Sequence, residues 1–322
     1  MLEIPFYVWA ATIGGLLLIL AVDQLIAARK GEHEFSVREA TAWVAFYVGL
    51  AVVFGIGLTL VAGGQIGAEF FAGYLTEYSL SVDNLFVFVI IMSSFAVPRQ
   101  FQHKVLLFGI ALALVLRGIF IAIGAEAIER FVWVFFVFGA FLIYTAYKLA
   151  TASSHDEPEE RSNRLANFVG RILPTVDEFH GAKVVTRING KRFFTPMLLV
   201  MIAIGSTDLL FALDSIPAIF GLTEEPYVVF TANAFALMGL RQLYFLLDGL
   251  LDRLVHLSKG LAVILGFIGI KLSLHAAHDY GAEWAPDIGI APSLGFIVLV
   301  LVITVLTSLR TSRKRVDEPL GE

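Results

Sequence analysis

YLTEYSLSVDNLFVFVII (residues 74–91) and IAIGSTDLLFALDSIPAIF (residues 202–220) are two strongly apolar stretches that each contain two acidic side chains. An ionised carboxylate at the centre of a bilayer costs roughly 2.5–3.5 kcal/mol even on a lenient insertion scale. Both stretches are long enough to take part in membrane spans, so the sequence predicts a polar site buried inside a bundle of membrane helices. The four carboxylates are Glu77, Asp83, Asp208 and Asp214.

The composition of the whole chain agrees with a membrane setting. Hydrophobic residues make up 58% of the 322 residues and charged residues only 16%, whereas soluble domains average about 25% charged residues. The mean hydropathy is +0.81. The absence of cysteine excludes disulfides, thiolate metal sites and thiol redox chemistry. The N-terminus lacks the basic start and cleavage site of a signal peptide, so we expect its first apolar run to be a retained span.

Nine apolar runs are close to the roughly 20 residues that a helix needs to cross the bilayer core. Proline and glycine mark several of their ends, and Pro217 inside the sixth run predicts a kink. The predicted fold class is therefore all-α, a polytopic helix bundle with about nine transmembrane spans. The runs cover residues 6–26, 42–62, 69–96, 104–125, 131–150, 195–220, 227–249, 260–280 and 291–309.

Lysine and arginine residues are concentrated in alternate loops, which is the pattern expected of cytoplasmic loops. The basic segments include the long loop 151–194 and the C-terminal tail, whereas the loops 63–68 and 281–290 contain neither residue. An odd number of spans places the two termini on opposite sides of the bilayer. We therefore expect a multi-pass protein of the cytoplasmic (inner) membrane, with its N-terminus outside and its C-terminus in the cytoplasm.

The loop 151–194 has recognisable content of its own. A charged linker at 153–162 precedes an apolar pattern at helical spacing, which predicts a short amphipathic helix on the membrane surface. Asn189 and Gly190 then separate two β-prone stretches and predict a type I′ hairpin. The loop is interpreted as a cytoplasmic connector, with a regulatory or partner-docking role as the alternative. The apolar residues of the predicted helix are Leu165, Phe168, Val169 and Ile172.

Two parts of the chain resemble each other in order. LSVDNLFVF (80–88) is similar to FALDSIPAI (211–219), and the stretches around Arg117 and Arg241 and those ending near Lys148 and Lys271 follow in the same order. Spans three to five and six to eight are thus predicted to be two inverted three-helix repeats, an arrangement typical of secondary transporters. A second register, SVDNLF with STDLLF, would pair Asp83 with Asp208 instead of Asp214.

The repeats divide the chain into five predicted units. Two N-terminal spans and a last span flank the repeats, and the cytoplasmic linker with its amphipathic helix and hairpin separates them. The boundaries are 1–68 for the first two spans, 69–150 for the first repeat, 151–194 for the linker, 195–280 for the second repeat and 281–322 for the last span and the basic tail.

Carboxylate, amide and hydroxyl oxygens suit hard divalent cations such as Mn²⁺, Mg²⁺ and Ca²⁺. Residues seven apart share a helical face, but the two acids of each stretch are six apart and diverge in a regular helix. Either each helix unwinds locally, or one acid meets the cation and the other a base. The expected ligands or gates are Asp83 and Asp208 at the centre, with Glu77, Asn84, Asp214, Ser215 and Asn233 nearby. The available bases are Arg117, Arg241 and Lys271.

Two alternatives to this site remain open. The acids and bases could form ion pairs that only hold the helices together. A separate site is conceivable at HAAHD, near the outer end of span eight, because histidines at positions i and i+3 can bind a metal. A solvated pair of loop histidines is the other interpretation of that motif. Its residues are His275, His278 and Asp279.

Four strings resemble the TerC family of integral membrane proteins, including its Alx branch: EYSLSVDNLFVF (77–88), DLLFALDSIPAIF (208–220), TANAFALMGLR (231–241) and GFIGIK (266–271). The resemblance implies a fold of the lysine-exporter superfamily and efflux of manganese from the cytoplasm. It also implies a family link to tellurium resistance, and some relatives are linked to protein secretion. Relatives often carry Glu three residues before the first Asp of the second motif, where this chain has Gly205.

Residues and resemblance together predict a transporter that exports a divalent cation, with Mn²⁺ as the expected substrate, by alternating access through a midplane site lined by carboxylates. Protons are the expected coupling ion, and the lipid bilayer is the expected environment. We expect no enzyme activity, no permanently bound cofactor and no nucleic-acid partner. The main alternative is a non-transporting scaffold linked to secretion, metal loading or tellurium resistance. An intramembrane aspartyl protease is disfavoured because GSTD (205–208) departs from the GxGD string of one such group.

Overall fold

The computed structural model describes residues 4–30, 37–151, 174–176, 178–179, 181, 183–188, 191–247, 256–282 and 284–317. This part of the chain folds into a helix bundle with one small antiparallel hairpin. The helices are α1 (Phe6–Lys30), α2 (Val37–Ala62), α3 (Gly64–Ser94), α4 (Arg99–Arg130), α5 (Trp133–Thr151), α6 (Pro196–Phe220), α7 (Pro226–Leu237), α8 (Leu240–Leu247), α9 (Leu257–Asp279) and α10 (Ile290–Asp317). The strands are β1 (Val185–Ile188) and β2 (Lys191–Phe194).

Nine helical segments within these ranges are long and apolar enough to cross a membrane, which confirms the predicted helix bundle. Helices α7 and α8 together form the seventh segment. In its apolar 18-residue window 83% of the residues are buried inside the bundle, whereas the share is 11% for the first segment and 17% for the last. Spans three and six, with 62% and 44% of their window residues buried, are likewise more enclosed than α1, α2 and α10. The inverted relation between the two sets of three spans stays a prediction.

The helices that carry the four acids are continuous. Helix α3 runs unbroken past Glu77 and Asp83, and α6 runs unbroken past Asp208, Asp214 and Pro217. Local unwinding of these two helices, one of the two arrangements considered from the sequence, is therefore wrong. Asp208 and Asp214 are six residues apart, so they leave a regular helix in different directions.

The break in the bundle lies in span seven. Helix α7 ends at Leu237 and α8 begins at Leu240, with Met238 in an extended conformation between them. Gly239 has a φ of +89°, in the left-handed region that glycine adopts most readily. A Cβ atom at this position would lie 3.1 Å from Cδ2 of Tyr47. The backbone conformation and the close approach of α2 both favour glycine here.

Helices α5 and α9 are antiparallel and pack against each other through small residues. A Cβ atom on Gly269 would lie 2.8 Å from the backbone oxygen of Gly139, and one on Gly266 would lie 3.6 Å from Cβ of Ala146. Small residues let membrane helices approach closely and gain van der Waals contact. Helix α6 runs parallel to α4, whose Gly109 faces Ile204. These contacts fix the helices around the interior of the bundle.

The two strands pair in antiparallel register, with Ile188 opposite Lys191. This pairing confirms the predicted hairpin strands, although Asn189 and Gly190 themselves lie outside the described residues. Strand β2 ends at Phe194 and α6 begins at Pro196, so the hairpin leads directly into this helix. Between them, the N–H of Thr195 donates to the oxygen of Val184 at 3.0 Å. The predicted charged linker and amphipathic helix lie outside the part of the chain that the structure describes.

Candidate functional site

Arg117 of α4 is the centre of a buried polar cluster. Only 1% of this residue is exposed. Its Nη1 atom donates to Oε1 of Glu77, to Oδ1 of Asn233 at 3.0 Å and to Oγ of Ser215 at 3.3 Å. Its Nη2 atom donates to Oδ1 of Asp208 at 3.3 Å. One guanidinium therefore joins side chains from three other helices, and we call these five residues the Arg117 cluster.

The positions of these residues in their helices explain why they meet. Asp208 and Ser215 are seven residues apart on α6 and share the face that α4 covers. Glu77 lies in the buried middle of α3, and Asn233 in the nearly fully buried α7. All four partners of Arg117 are at least nine-tenths buried. The sequence spacing that placed Asp208 and Ser215 on one face thus agrees with the observed contacts.

Several polar atoms of this cluster lack a hydrogen-bond partner among the described residues. They include Oε2 of Glu77, Oδ2 of Asp208 and Nδ2 of Asn233, each with almost no exposed surface. The hydroxyl of the adjacent Thr76 is in the same condition. Buried polar groups are nearly always paired, and an orphan among them calls for a water, an ion or a functional explanation. The free carboxylate oxygens are acceptors, which suit a cation or a hydrogen-bond donor.

The cluster is also unbalanced in charge. Glu77 and Asp208 are two carboxylates, and Arg117 is the one cation that the described side chains place in contact with them. Ser81 donates to Oε1 of Glu77 at 3.3 Å but adds no charge. Taking charges out of water is costly unless partners and hydrogen bonds compensate. An additional positive charge would therefore be favoured here.

Asp214 does not reach the Arg117 cluster, although the sequence placed it near the central acids. Its Oδ1 atom accepts a hydrogen bond from Thr145 of α5 at 3.0 Å, on a different side of α6 from Asp208. Asn84 is buried on α3, one heptad after Glu77. Asp83 lies on α3 between them, but its side chain is outside the described residues.

Arg241 belongs to a second buried cluster instead of the first. Its Nη2 atom donates to Oδ1 of Asp23 at 2.7 Å, and Gln242 donates to the same oxygen at 3.2 Å. This ion pair joins the start of α8 to α1, directly after the break at Gly239. The sequence offered Arg241 as a base for the central acids, but after the break in span seven it pairs with Asp23 of α1.

Lys271 lies on the wall of a cavity of about 310 Å³ at the predicted outer end of the bundle. The loop between α6 and α7 forms one side of this cavity. Glu69 lines it and accepts hydrogen bonds from Thr223 at 2.6 Å and from Gln65 at 3.1 Å. The sequence alone did not single out Glu69, because it falls at the start of its apolar run, where an acid is expected to be solvated.

His275 of the HAAHD motif lines the same cavity, but His275 and His278 do not come together as a metal site. His275 is 3.0 Å from Glu224, 3.5 Å from Asp287 and 3.6 Å from Asp279. His278 instead contacts the backbone oxygen of Ala285. The hydrogen bond with His275 lowers the pKa of the Glu224 carboxyl below its ordinary value. The two histidines therefore have separate partners.

Throughout the described ranges, no group of three or more His, Asp or Glu side chains is arranged to hold a metal ion. The Arg117 cluster supplies two carboxylates together with an amide and a hydroxyl. A cation bound between them would need a movement of side chains or oxygen ligands from water. Gly205, one turn before Asp208, faces Leu112 of α4, whose Cδ2 would lie 2.6 Å from an added Cβ.

Comparison with known proteins settles the family. The model of the family described as "Integral membrane protein TerC family" matches residues 62–316. The chain belongs to the TerC family. The match includes every residue of the Arg117 cluster, whereas Asp23 of the second cluster precedes it. As a TerC family member the protein is a multi-pass integral membrane protein in contact with the lipid bilayer.

Three relatives of this TerC family member illustrate the range of similarity. "Uncharacterized membrane protein Rv2723" of Mycobacterium tuberculosis is 48% identical over 98% of this chain and 82% of its own length. "Uncharacterized membrane protein STKORF319" of Myxococcus xanthus is 38% identical over 97% and 96%. "Putative membrane-bound redox modulator Alx" of Escherichia coli O6:H1 is 37% identical over 93% and 94%. No solved structure matches the chain significantly.

Proposed function

We propose that this protein exports a hard divalent cation, with Mn²⁺ as its substrate, by alternating access through the Arg117 cluster. The observation that carries the proposal is the pair of buried carboxylate oxygens, Oε2 of Glu77 and Oδ2 of Asp208, that have no hydrogen-bond partner among the described residues. Hard divalent cations prefer oxygen ligands of this type. The choice of Mn²⁺ rests on the resemblance to the TerC family.

The ligand set in this proposal comes from both predicted repeats. Asp208 and Glu77 supply charge, and Ser215 and Asn233 supply neutral oxygens beside them. Asp83 and Asn84 lie within two turns of Glu77 on α3, from which they would complete the site when the helices move. Asp214, held by Thr145, would serve as a gate on the side of α5.

The outer cavity offers an exit route for the cation. Its wall carries Glu69, Glu224 and Asp287, and Lys271 is the lysine among its lining residues. Glu69 and Glu77 both lie on α3, eight residues apart, so this helix leads from the cavity toward the Arg117 cluster. Acidic side chains outnumber basic ones on this wall, so we expect it to attract cations.

Export against a membrane potential needs an energy source. Moving one charge outward across 100 mV, negative inside, costs about 2.3 kcal/mol, so a divalent cation costs about 4.6 kcal/mol. Exchange for protons entering through the carboxylate site would supply this energy. The orientation in the inner membrane, with the N-terminus outside, is part of the same proposal.

The name of the Escherichia coli relatives points to redox balance. Because this chain contains no cysteine, it has no thiol chemistry of its own to offer for such a role. Transport of a redox-active metal such as manganese would connect the relatives' name with the proposed cation export. A scaffold linked to secretion, metal loading or tellurium resistance is the competing hypothesis, and it does not require the free carboxylate oxygens.

Reconstitution in liposomes tests the proposed function. Purified protein in vesicles that contain a dye quenched by Mn²⁺ should make the membrane permeable to Mn²⁺, and an outwardly directed flux should depend on a proton gradient. Vesicles without protein provide the baseline. A well-folded protein that moves neither Mn²⁺, Mg²⁺ nor Ca²⁺ would favour the scaffold.

The orientation has a separate test that uses the absence of native cysteine. Cysteine in place of Gly64, which is exposed at the start of α3, should react with an impermeant thiol reagent in intact cells. Cysteine in place of Lys191, which is exposed on β2, should react only after the membrane is opened. The unchanged chain has no thiol and is the control. The reverse labelling pattern would invert the proposed topology.

A further inference from the structure

We propose that Arg117 is a tethered counterion that occupies the cation site in most molecules without a bound cation, so that a cation competes with its guanidinium for the acids. The inference rests on the proposed function, because it concerns the same carboxylates. It assigns to Arg117 a role in cation affinity and release. A residue that only joined the helices would have no such effect.

The contacts of Arg117 are those of a cation substitute. Its two terminal nitrogens bind one oxygen from each carboxylate, Oε1 of Glu77 and Oδ1 of Asp208. The guanidinium thus bridges α3 and α6 from a third helix, as a divalent cation held between the same acids would bridge them. The remaining oxygen of each acid stays buried and has no hydrogen-bond partner in the described part of the chain.

Arg117 and a divalent cation cannot share this small site at low energy. A guanidinium and a doubly charged ion a few ångströms apart repel strongly wherever water is excluded. The two negative charges of Glu77 and Asp208 balance a divalent cation. With Arg117 alone, one negative charge is left uncompensated. The two acids do not balance both positive groups together. Binding of the cation therefore favours withdrawal of the guanidinium from at least one acid.

Neutral acceptors are already in place for the displaced side chain. Nη1 of Arg117 donates to Asn233 at 3.0 Å and to Ser215 at 3.3 Å. These contacts can be kept while the carboxylates turn toward an ion. Asn233 is therefore a positioning residue for Arg117 in this proposal. It lies on α7, about one turn before the break at Met238 and Gly239, so a movement of α7 would carry the acceptor with it.

Competition of this kind helps a transporter to release its cargo. A site made only of carboxylates would bind a divalent cation tightly in an interior without water. After release of the cation, the buried carboxylates would be left without a counterion, which is energetically costly. Returning the guanidinium to Glu77 and Asp208 satisfies both acids as the cation leaves. The apparent affinity of the protein is then reduced by the fraction of molecules in which Arg117 blocks the site.

Equilibrium binding of Mn²⁺ to purified protein, measured by isothermal titration calorimetry, tests this inference. If the guanidinium blocks the acids in about nine of ten empty molecules, Arg117→Gln should lower the Kd for Mn²⁺ about tenfold. Net efflux from liposomes should become slower, because release is no longer assisted. Arg117→Lys retains the charge but lacks the two terminal nitrogens with which the guanidinium bridges the two acids. Its Kd should therefore lie between those of the unchanged protein and Arg117→Gln.

Arg130→Gln is the matched control. It removes the same charge from the same helix, but Arg130 is exposed, and its ion-pair partner among the described residues is Glu126 in the adjacent turn. Its Kd should equal that of the unchanged protein. An unchanged or weaker Kd in folded Arg117→Gln would overturn the inference, and so would an unchanged Kd in Arg117→Lys if the glutamine variant does not fold. Absence of Mn²⁺ binding to the unchanged protein would instead refute the proposed function.

Discussion

Asp208→Asn should abolish Mn²⁺ transport in liposomes and leave the amount of folded protein near normal. The amide has almost the same size and can still accept a hydrogen bond from Nη2 of Arg117, but it lacks the charge that a divalent cation needs. Loss of a partner outside the ligand shell already costs about 10–100-fold in metal affinity, and loss of a charged ligand should cost at least as much. The initial rate of dye quenching is the measurement.

Asp214→Asn is the matched control on the same helix. Asp214 is half-buried, whereas Asp208 is buried, and Asp214 bonds to Thr145 instead of Arg117. As a gate and not a central ligand, it should lose only part of the transport rate. Glu77→Gln should resemble Asp208→Asn. If Asp208→Asn transports normally, the Arg117 cluster is not the cation site, whatever the behaviour of Arg117 itself.

Gly269→Ala should strongly destabilise the fold, because a single methyl group has no room between α5 and α9. It would lie 2.8 Å from the backbone oxygen of Gly139 and 3.0 Å from the backbone nitrogen of Ile143. Backbone atoms cannot turn aside as the end of a side chain can, so the two helices must separate. Overpacking of this type costs about 1–3 kcal/mol. Thermal unfolding in detergent, followed by size-exclusion chromatography, should show a lower Tm.

Gly266→Ala supplies the comparison, one turn earlier on the same helix. Its methyl group would lie 3.6 Å from Cβ of Ala146, which is an ordinary van der Waals contact. Its Tm should equal or exceed that of the unchanged protein, since alanine also favours the helix more than glycine does. Equal destabilisation by both substitutions would show that helix propensity or the unfolded state, and not the contact of α5 with α9, controls the result.

The sequence predicted the nine span-length helices of the described residues and most of their limits, because hydrocarbon thickness imposes a length that can be counted. It also placed Asp208 and Ser215 on one face of a helix, where Arg117 contacts both. Heptad spacing on a regular helix is local information and needs no tertiary structure. Glu77 was also recognisable from local sequence, because an acid within an apolar membrane span is expected to face the interior of the bundle and a partner there.

The choice of partners could not be predicted, because it depends on how helices rotate about their axes. Arg117 and Arg241 occupy corresponding positions in the two similar halves of the sequence, yet one binds Glu77 and Asp208 and the other binds Asp23. Span seven breaks at Gly239 before α8 begins, so regular helical spacing along α7 does not place Arg241. A glycine inside an apolar run permits a break but does not require one.

The ion pair of Glu77 with Arg117 bears on how the chain enters the membrane during synthesis. These residues are forty positions apart on consecutive spans, and an isolated charged segment costs roughly 2.5–3.5 kcal/mol on insertion. If α3 and α4 leave the translocon as a hairpin, each charge enters lipid already neutralised by the other. Asp208 follows ninety-one residues after Arg117 and meets a guanidinium that still has a free nitrogen. The order of the spans along the chain thus provides a partner for each buried acid of the cluster by the time it is inserted.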